Sequence, residues 1–285
     1  MAPAVPVATT AERSAESRED AGIIRTNRRR AGRTCLVPGL VSGAIVGVVL
    51  AAMGLPPVVA AVALVVVALG VTAWLWQRAP GAVLRAIGAR RSDEADRPRL
   101  HNLIDGLCAT MGLSQPAIAV VDSPVPNALS VGLDPGSATV VVTSALDRSL
   151  TLVELEGVLA HELVHIKRHD TVVATVAVSV AGPLSLVVGV SRATEWVHSL
   201  IGRGREFTAD QRAASVVRYP AGIGSALESM LEGQDRTASW PPGQGRIPPL
   251  SRWLWIDPMV GVTTDQPVEG NLDDTRVRAA ALSLD

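Results

Sequence analysis

Cysteine, lysine and aromatic residues are scarce in this chain of 285 residues. The two cysteines, Cys35 and Cys108, lie in different segments, so the sequence has neither a disulfide framework nor the paired cysteines of a zinc knuckle. Aromatic residues make up 3% of the chain although hydrophobic residues make up 48%, so Ala, Val and Leu supply most of the apolar content. The net charge of −1 gives no indication of a nucleic-acid partner.

Charge is also absent between Thr34 and Gln77. A single helix of that length would measure about 66 Å, roughly twice the thickness of the bilayer's hydrocarbon core. Pro56 and Pro57 lie near the middle and prevent a continuous helix. We therefore predict two transmembrane helices within residues 34–77, at about 35–53 and 58–76, rather than a buried hairpin of a soluble protein.

Arginine flanks this uncharged region on both sides, and the connecting turn carries no charge. The positive-inside rule then predicts a multi-pass protein of the plasma membrane, with the N-terminus and the following domain in the cytoplasm. Residues 1–33 show no apolar periodicity and are predicted to be a disordered, Arg-rich cytoplasmic tail. They are too long and too acidic for the first region of a cleavable signal. The flanking arginines are Arg13, Arg18, Arg25, Arg28, Arg29, Arg30 and Arg33 before the region, and Arg78, Arg85, Arg90, Arg91, Arg97 and Arg99 after it.

The remaining residues, 78–285, predict a mainly helical α+β domain with a small β-sheet. Helical spacing covers residues 97–112, and short apolar strands are expected at 117–121, 128–131 and 138–143. Thr151 and Glu154 have the spacing of a capping box, which marks the start of another helix.

Inside that helix, His161-Glu162-Leu163-Val164-His165 has the spacing of a zinc site. Two histidines four residues apart project from one face of a helix, so their imidazoles can occupy adjacent corners of a tetrahedral ion. Glu162 can then accept a proton from a water molecule that zinc activates and donate it to the leaving amine. The alternative is a helix surface that carries two histidines and no metal.

A catalytic zinc needs a third protein ligand and one open position. His169 would lie in line with the other two histidines, and His198 stands alone. Glu206 fits better because Asp210 follows one turn later and can accept the free N–H of a histidine ligand; the alternative is a solvated helix face. Arg212 is a candidate to stabilise the oxyanion. The predicted metal ligands are His161, His165 and Glu206.

Four further blocks accompany this motif in order along the chain. Residues 126–132 are similar to Pro-Asn-Ala-Phe-Ala-Thr-Gly, and residues 154–160 precede the histidines. Residues 205–210 are similar to Arg-Glu-Tyr-x-Ala-Asp, and residues 254–258 to Leu-Phe-Ile-x-Asn-Pro. From about residue 97 to 285 the chain thus resembles the HtpX-like membrane zinc metallopeptidases, relatives of the CAAX prenyl endoproteases.

This resemblance implies a zincin-type domain with one Zn²⁺ per subunit and cytoplasmic cleavage of membrane or misfolded proteins. It also implies an edge strand beside the zinc, at Asn127, Ala128 and Leu129, that could hold a substrate as an added strand. The family's His-Pro-Pro block before a final Arg-containing helix is missing from residues 267–276. A catalytically silent zinc-binding scaffold or sensor is therefore the alternative function. The short chain argues against a prenyl-protein endopeptidase.

The uncharged stretch from Thr171 to Ser191 is long enough to span a bilayer. A single crossing would place Glu206 on the opposite side of the membrane from His165. We therefore predict a membrane-associated helical hairpin over about 171–201, broken at Gly182-Pro183. The partners expected overall are protein or peptide substrates and the lipid bilayer.

Overall fold

The computed structural model describes residues 10–202, 204–237, 249–257 and 275–282. The predicted fold class is confirmed: two long apolar helices precede a mainly helical domain with a small sheet. The α-helices are α1 (Thr10–Ala52), α2 (Pro57–Ala86), α3 (Pro98–Met111), α4 (Ser144–Ser149), α5 (Leu152–Lys167), α6 (Asp170–Val188), α7 (Val190–Ile201), α8 (Arg205–Val216), α9 (Ala221–Thr237) and α10 (Thr275–Leu282). The strands are β1 (Arg90–Arg91), β2 (Ala117–Val121), β3 (Ala128–Val131) and β4 (Thr139–Thr143), and short 3₁₀ helices cover Pro135–Ser137 and Pro249–Leu254.

Helices α1 and α2 form a closely packed hairpin with an outward apolar surface. The chain turns at Gly54, as predicted from the glycine and prolines there. A Cβ atom at Gly39 would lie 2.6 Å from the Ala68 carbonyl oxygen, and one at Gly43 would lie 2.4 Å from that of Leu64. Small residues four apart allow this approach of two helix backbones, as is common between transmembrane helices. Valine and leucine side chains remain exposed along both helices, which suits contact with lipid.

The N-terminal extension of α1 corrects the prediction of a disordered tail. Residues 10–33 are helical and continue without interruption into the apolar segment; residues 1–9 lie outside the described part. The extension packs against the following domain, where the Asn27 side chain donates to Asp170. Asp20 accepts from Arg212 in the same region. These partners are more than 140 residues away in sequence, so a search for local apolar periodicity does not detect them.

The four-stranded sheet has the order β1-β2-β4-β3. Strands β2 and β4 are parallel, whereas β1 and β3 are antiparallel to their neighbours, and β3 forms one edge. Side chains alternate between two buried faces. Val140 and Val142 of β4 pack with α3, α5, α8 and α9, and Val141 packs with α6 and α7. The sheet therefore lies inside the domain and supports α5 from one side.

Helix α5 is almost completely enclosed. Its start is the predicted capping box, since the Thr151 hydroxyl accepts from the Glu154 N–H and the Glu154 carboxylate accepts from the Thr151 N–H. At Gly157 the helix meets α9 so closely that a Cβ atom would lie 2.9 Å from the Ile223 nitrogen. Burial from Leu155 to Ile166 fixes the helix in rotation as well as in position, so the side chains it presents are held rigidly.

The hairpin after α5 is present, but its break lies elsewhere than predicted. Helix α6 runs through Gly182 and Pro183 to Val188, and the chain reverses at Gly189, whose φ is +85°. Proline removes one helical donor, which costs less at the half-exposed end of α6 than at its buried start. Glycine adopts a positive φ without a Cβ clash, so Gly189 ends the helix. At 19 residues α6 is a third helix long and apolar enough to cross a membrane, although half of it is buried inside the protein.

Candidate metal centre

Two helices bring three side chains to one point inside the domain. Helix α5 contributes His161 and His165, and α8 contributes Glu206. The two Nε2 atoms lie 3.1 Å apart, and Glu206 Oε2 lies 3.0 Å from His161 Nε2 and 3.4 Å from His165 Nε2. Donor atoms that hold one zinc ion at its usual bond lengths in a tetrahedron lie about 3.3 to 3.4 Å apart. The arrangement of the three atoms therefore fits a single divalent ion.

Each histidine has a carboxylate behind it. His161 Nδ1 lies 2.7 Å from Asp210 Oδ1, and His165 Nδ1 lies 3.2 Å from Asp170 Oδ2. A carboxylate on the far nitrogen fixes both the tautomer and the orientation of an imidazole ligand. Both Nε2 atoms are thus directed at the shared centre, and a metal would bind there to the neutral imidazoles whose Nδ1–H groups face the carboxylates.

Two arginines hold the carboxylates in place. Arg278 of α10 is fully buried and donates to both oxygens of Asp210, through Nε at 2.6 Å and Nη2 at 2.8 Å. Arg205 donates to Glu206 Oε1 through Nε at 2.9 Å and Nη2 at 2.6 Å. Arg205 engages only Oε1 of Glu206, so Oε2 stays directed at the two histidines. Arg278 shares Oδ1 of Asp210 with His161 and so fixes the position of that carboxylate.

The electrostatics of the centre favour ionised carboxylates. Burial alone would favour their neutral forms, but Arg205 and the histidines outweigh it and hold the pKa of Glu206 well below its usual range. Arg278 and His161 likewise lower the pKa of Asp210 against the effect of burial. Burial disfavours the His161 imidazolium, yet Asp210 and Glu206 raise the pKa of this histidine to about 9. Without a metal, the cluster of His161, His165, Glu206 and Asp210 thus favours an added positive charge. A divalent cation would supply that charge.

Glu162 lies on the same helix with a different environment. Its side chain is 1% exposed, and neither carboxylate oxygen has a hydrogen-bond partner among the described residues. Burial raises the pKa of this carboxyl, an effect that exceeds the opposing influence of His161, His165 and Ser130. A buried carboxyl with both oxygens unengaged is suited to exchanging a proton with a bound molecule.

Comparison with known proteins gives this arrangement a family. Residues 94–254 match the family model described as Peptidase family M48. The chain belongs to peptidase family M48. The resemblance predicted from the motif blocks is confirmed, and with it the class of protein, a metalloprotease.

Three relatives named "Protease HtpX homolog" illustrate the extent of the match to M48 proteins. One from Salinibacter ruber is 33% identical over 182 residues, which cover 56% of this chain and 65% of the relative. One from Pyrococcus furiosus is 29% identical over 237 residues, covering 71% and 80%. One from Acidiphilium cryptum is 32% identical over 237 residues, covering 72% and 80%. The chain therefore spans between about two thirds and four fifths of these relatives, and no solved structure matches it.

Three residues that support the centre, Arg278, Arg205 and Asp170, were not among the predicted site residues. Arg278 lies beside Asp210 and Glu206, whereas the sequence offered Arg212 as the candidate to stabilise the oxyanion. Arg212 instead donates to Asp20 of α1 at 2.9 Å. Sequence signals for two of these residues did exist. Arg205 lies in one of the matching sequence blocks, and Arg278 lies on the final Arg-containing helix that the family usually has. Asp170 follows His165 by five residues, a spacing that does not place two residues on one helix face. The sequence therefore contains no signal for Asp170.

The predicted substrate strand is present as an edge strand, but its outer side is partly covered. The Ala128 carbonyl accepts from the Ile256 N–H at 2.9 Å, and Leu129 forms a β-bridge with Trp255. Asn127 is fully buried; its Nδ2 donates to the Asp257 carbonyl and its Oδ1 accepts from the Asp257 N–H. Residues 255–257 therefore occupy the edge on which an added strand was expected to bind.

The α6–α7 hairpin starts and ends at the metal centre of this M48 domain. His165 precedes α6 by five residues and Glu206 follows the end of α7 by five, yet their side-chain atoms are 3.4 Å apart. The two ends of the hairpin therefore lie at the same end of the domain.

Proposed function

We propose that this chain is a membrane-anchored zinc endopeptidase with His161, His165 and Glu206 as metal ligands. The observation that carries the proposal is the convergence of these three donor atoms within 3.4 Å of one another, beside the unengaged carboxyl of Glu162. A structural zinc site is usually closed by four protein ligands, whereas the described residues here supply three. Such a set leaves one position for water or substrate.

The side chains divide the chemistry of peptide hydrolysis. Bound zinc would supply a Lewis acid that polarises the scissile carbonyl and activates a water molecule. Glu162 accepts the proton of the attacking water and returns it to the leaving amine. Asp210 and Asp170 keep the two imidazoles directed at the centre, and Arg278 keeps Asp210 ionised and in place.

Removal and return of zinc tests this assignment. Metal-free full-length protein in detergent should not cleave an unfolded soluble protein, and one zinc per chain should restore cleavage. In vesicles the same added substrate should be cleaved only when the vesicles are inverted, because the arginines that flank the spans favour a cytoplasmic position of the domain. Asp210→Asn should lower zinc affinity by about 10- to 100-fold, whereas Asp134→Asn, on an exposed turn, should not. Cleavage without metal, or in right-side-out vesicles, would contradict the respective part of the proposal.

We further propose that membrane or misfolded proteins are the substrates and that they bind along β3. Main-chain hydrogen bonds to an edge strand do not depend on sequence, which suits unfolded segments. Since residues 255–257 pair with Ala128 and Leu129, they must leave that edge before a substrate strand can pair along its full length.

Asn127→Ala tests whether this segment limits access. The change removes both hydrogen bonds to Asp257, which should loosen residues 255–257 by about 1–3 kcal/mol. Faster hydrogen exchange at the Ile256 amide should accompany a rise in the cleavage rate, by up to about tenfold. Faster exchange with unchanged or slower cleavage would show that the segment supports β3 and does not gate it.

A further inference from the structure

A cavity lies between the N-terminal part of α1 and the C-terminal end of α5, the helix that carries His161 and His165. Its volume is about 510 Å³, within the range of small-molecule sites. Asp20 of α1, Lys167 and Arg168 at the end of α5, and Arg212 and Ser215 of α8 line it. None of these residues has a role in the proposed hydrolysis, so the cavity calls for a separate explanation.

Arg168 gives the strongest indication of a ligand. Its side chain is about nine-tenths buried, yet Nε and Nη1 have no hydrogen-bond partner among the described residues. Asp170 Oδ2 lies 3.6 Å from Nε, close enough for an ion pair but too far for a hydrogen bond. Buried donors without acceptors are costly, and a guanidinium is adapted to bind planar or tetrahedral oxyanions. The unfilled donors therefore indicate an anionic ligand.

Asp20 adds an acceptor to the same cavity. One of its oxygens accepts from Arg212 Nη1 at 2.9 Å, and Oδ1 has no hydrogen-bond partner among the described residues. The lining has three cationic side chains and one acidic side chain, an excess of two positive charges. A matching ligand is thus an anion that also carries a hydrogen-bond donor. Protonated phosphate or a phosphate monoester with hydroxyl groups has both features.

The position of the cavity along α1 favours a soluble ligand over a lipid headgroup. Ile24, which also lines the cavity, precedes Thr34 by ten residues in one uninterrupted helix. At 1.5 Å per residue the cavity lies about 15 Å before the uncharged stretch begins. A phospholipid headgroup in the membrane plane would not reach that far.

We propose that this cavity binds a soluble phosphate-type anion through Arg168 and Asp20. The site is connected to the metal centre, because Asp170 contacts both Arg168 and His165 and also accepts from Asn27 of α1 at 2.8 Å. A ligand there would stabilise the contact between the N-terminal extension and the domain. The proposal does not depend on the protein being a peptidase.

Calorimetric titration of the full-length protein in detergent with inorganic phosphate tests the site. Saturable binding of one phosphate per chain is expected, with weaker binding of sulfate, since sulfate at neutral pH has no proton to donate to Asp20. Arg168→Gln should weaken phosphate binding about tenfold or more. Arg218→Gln, at an exposed arginine just beyond α8, should leave it unchanged. Asp20→Asn should abolish the preference for phosphate over sulfate.

Ser215→Trp provides a variant that leaves Arg168 intact and fills the cavity from α8. It should also block phosphate binding while the protein keeps its thermal unfolding temperature. Absence of saturable binding would overturn the proposal, as would equal affinity in folded Arg168→Gln protein. Binding that occurs only to nanodiscs containing phosphatidylglycerol, and not to phosphate, would assign the cavity to lipid instead.

Discussion

Replacing Glu162 by glutamine is expected to lower the rate of peptide hydrolysis by about 10²- to 10⁴-fold while zinc remains bound. Glutamine keeps the size of the side chain but cannot accept and return a proton. Because neither Glu162 oxygen has a hydrogen-bond partner at bonding distance among the described residues, the change should disturb the surrounding structure little. Burial already disfavours the ionised carboxyl, so the neutral amide should leave the unfolding temperature unchanged or raise it.

Metal content and cleavage of an unfolded protein, measured on the same preparation, decide the result. Glu156→Gln makes the same chemical change at a less buried position of α5 and should have wild-type activity. Equal activity in Glu162→Gln and wild-type protein would remove Glu162 from the mechanism. No activity in either protein, with zinc bound in both, would instead support the silent scaffold that the missing His-Pro-Pro block brings into consideration.

The parts of the centre that could be predicted from the sequence are those set by helix geometry. His161 and His165 are one turn apart, as are Glu206 and Asp210, so each pair shares a helix face wherever the helix lies. The structure brings these four side chains together. The hairpin of two long apolar helices was predictable for a similar local reason, because lack of charge over a sufficient length limits the alternatives.

The parts that could not be predicted depend on contacts between distant segments. Arg278 reaches Asp210 across 68 residues, and any arginine on a late helix would have matched the pattern equally well. The helical extension at residues 10–33 is polar and is stabilised by partners such as Asp170 and Arg212. Helix α6 continues through Gly182 and Pro183 because its first half is held by burial and the proline lies in the half-exposed end, where the lost hydrogen bond costs less. In each case tertiary packing outweighs local propensity.

Arg278→Met should have the largest effect on stability of the changes considered. The side chains of Arg278 and Asp210 are both fully buried. Removal of the arginine leaves the Asp210 carboxylate inside the protein without its bidentate partner and, among the described residues, with only its contact to His161. Breaking a buried pair from one side costs about 3–5 kcal/mol. Asp210 would then hold His161 less firmly, so zinc affinity should also fall, by about 10- to 100-fold. Thermal unfolding in detergent and competition with a zinc chelator measure the two effects separately.

The double variant Arg278→Met with Asp210→Asn separates packing from metal support. Removing both charges relieves the buried carboxylate, so much of the lost stability should return. Zinc affinity should stay low, because asparagine is a weaker acceptor for the His161 N–H than an ionised carboxylate. Arg276→Met, on the exposed face of the same helix, serves as the matched control. If Arg278→Met had the same unfolding temperature and the same zinc affinity as Arg276→Met, the buried pair would have no part in positioning His161. The metal centre would then depend on α5 and α8 alone.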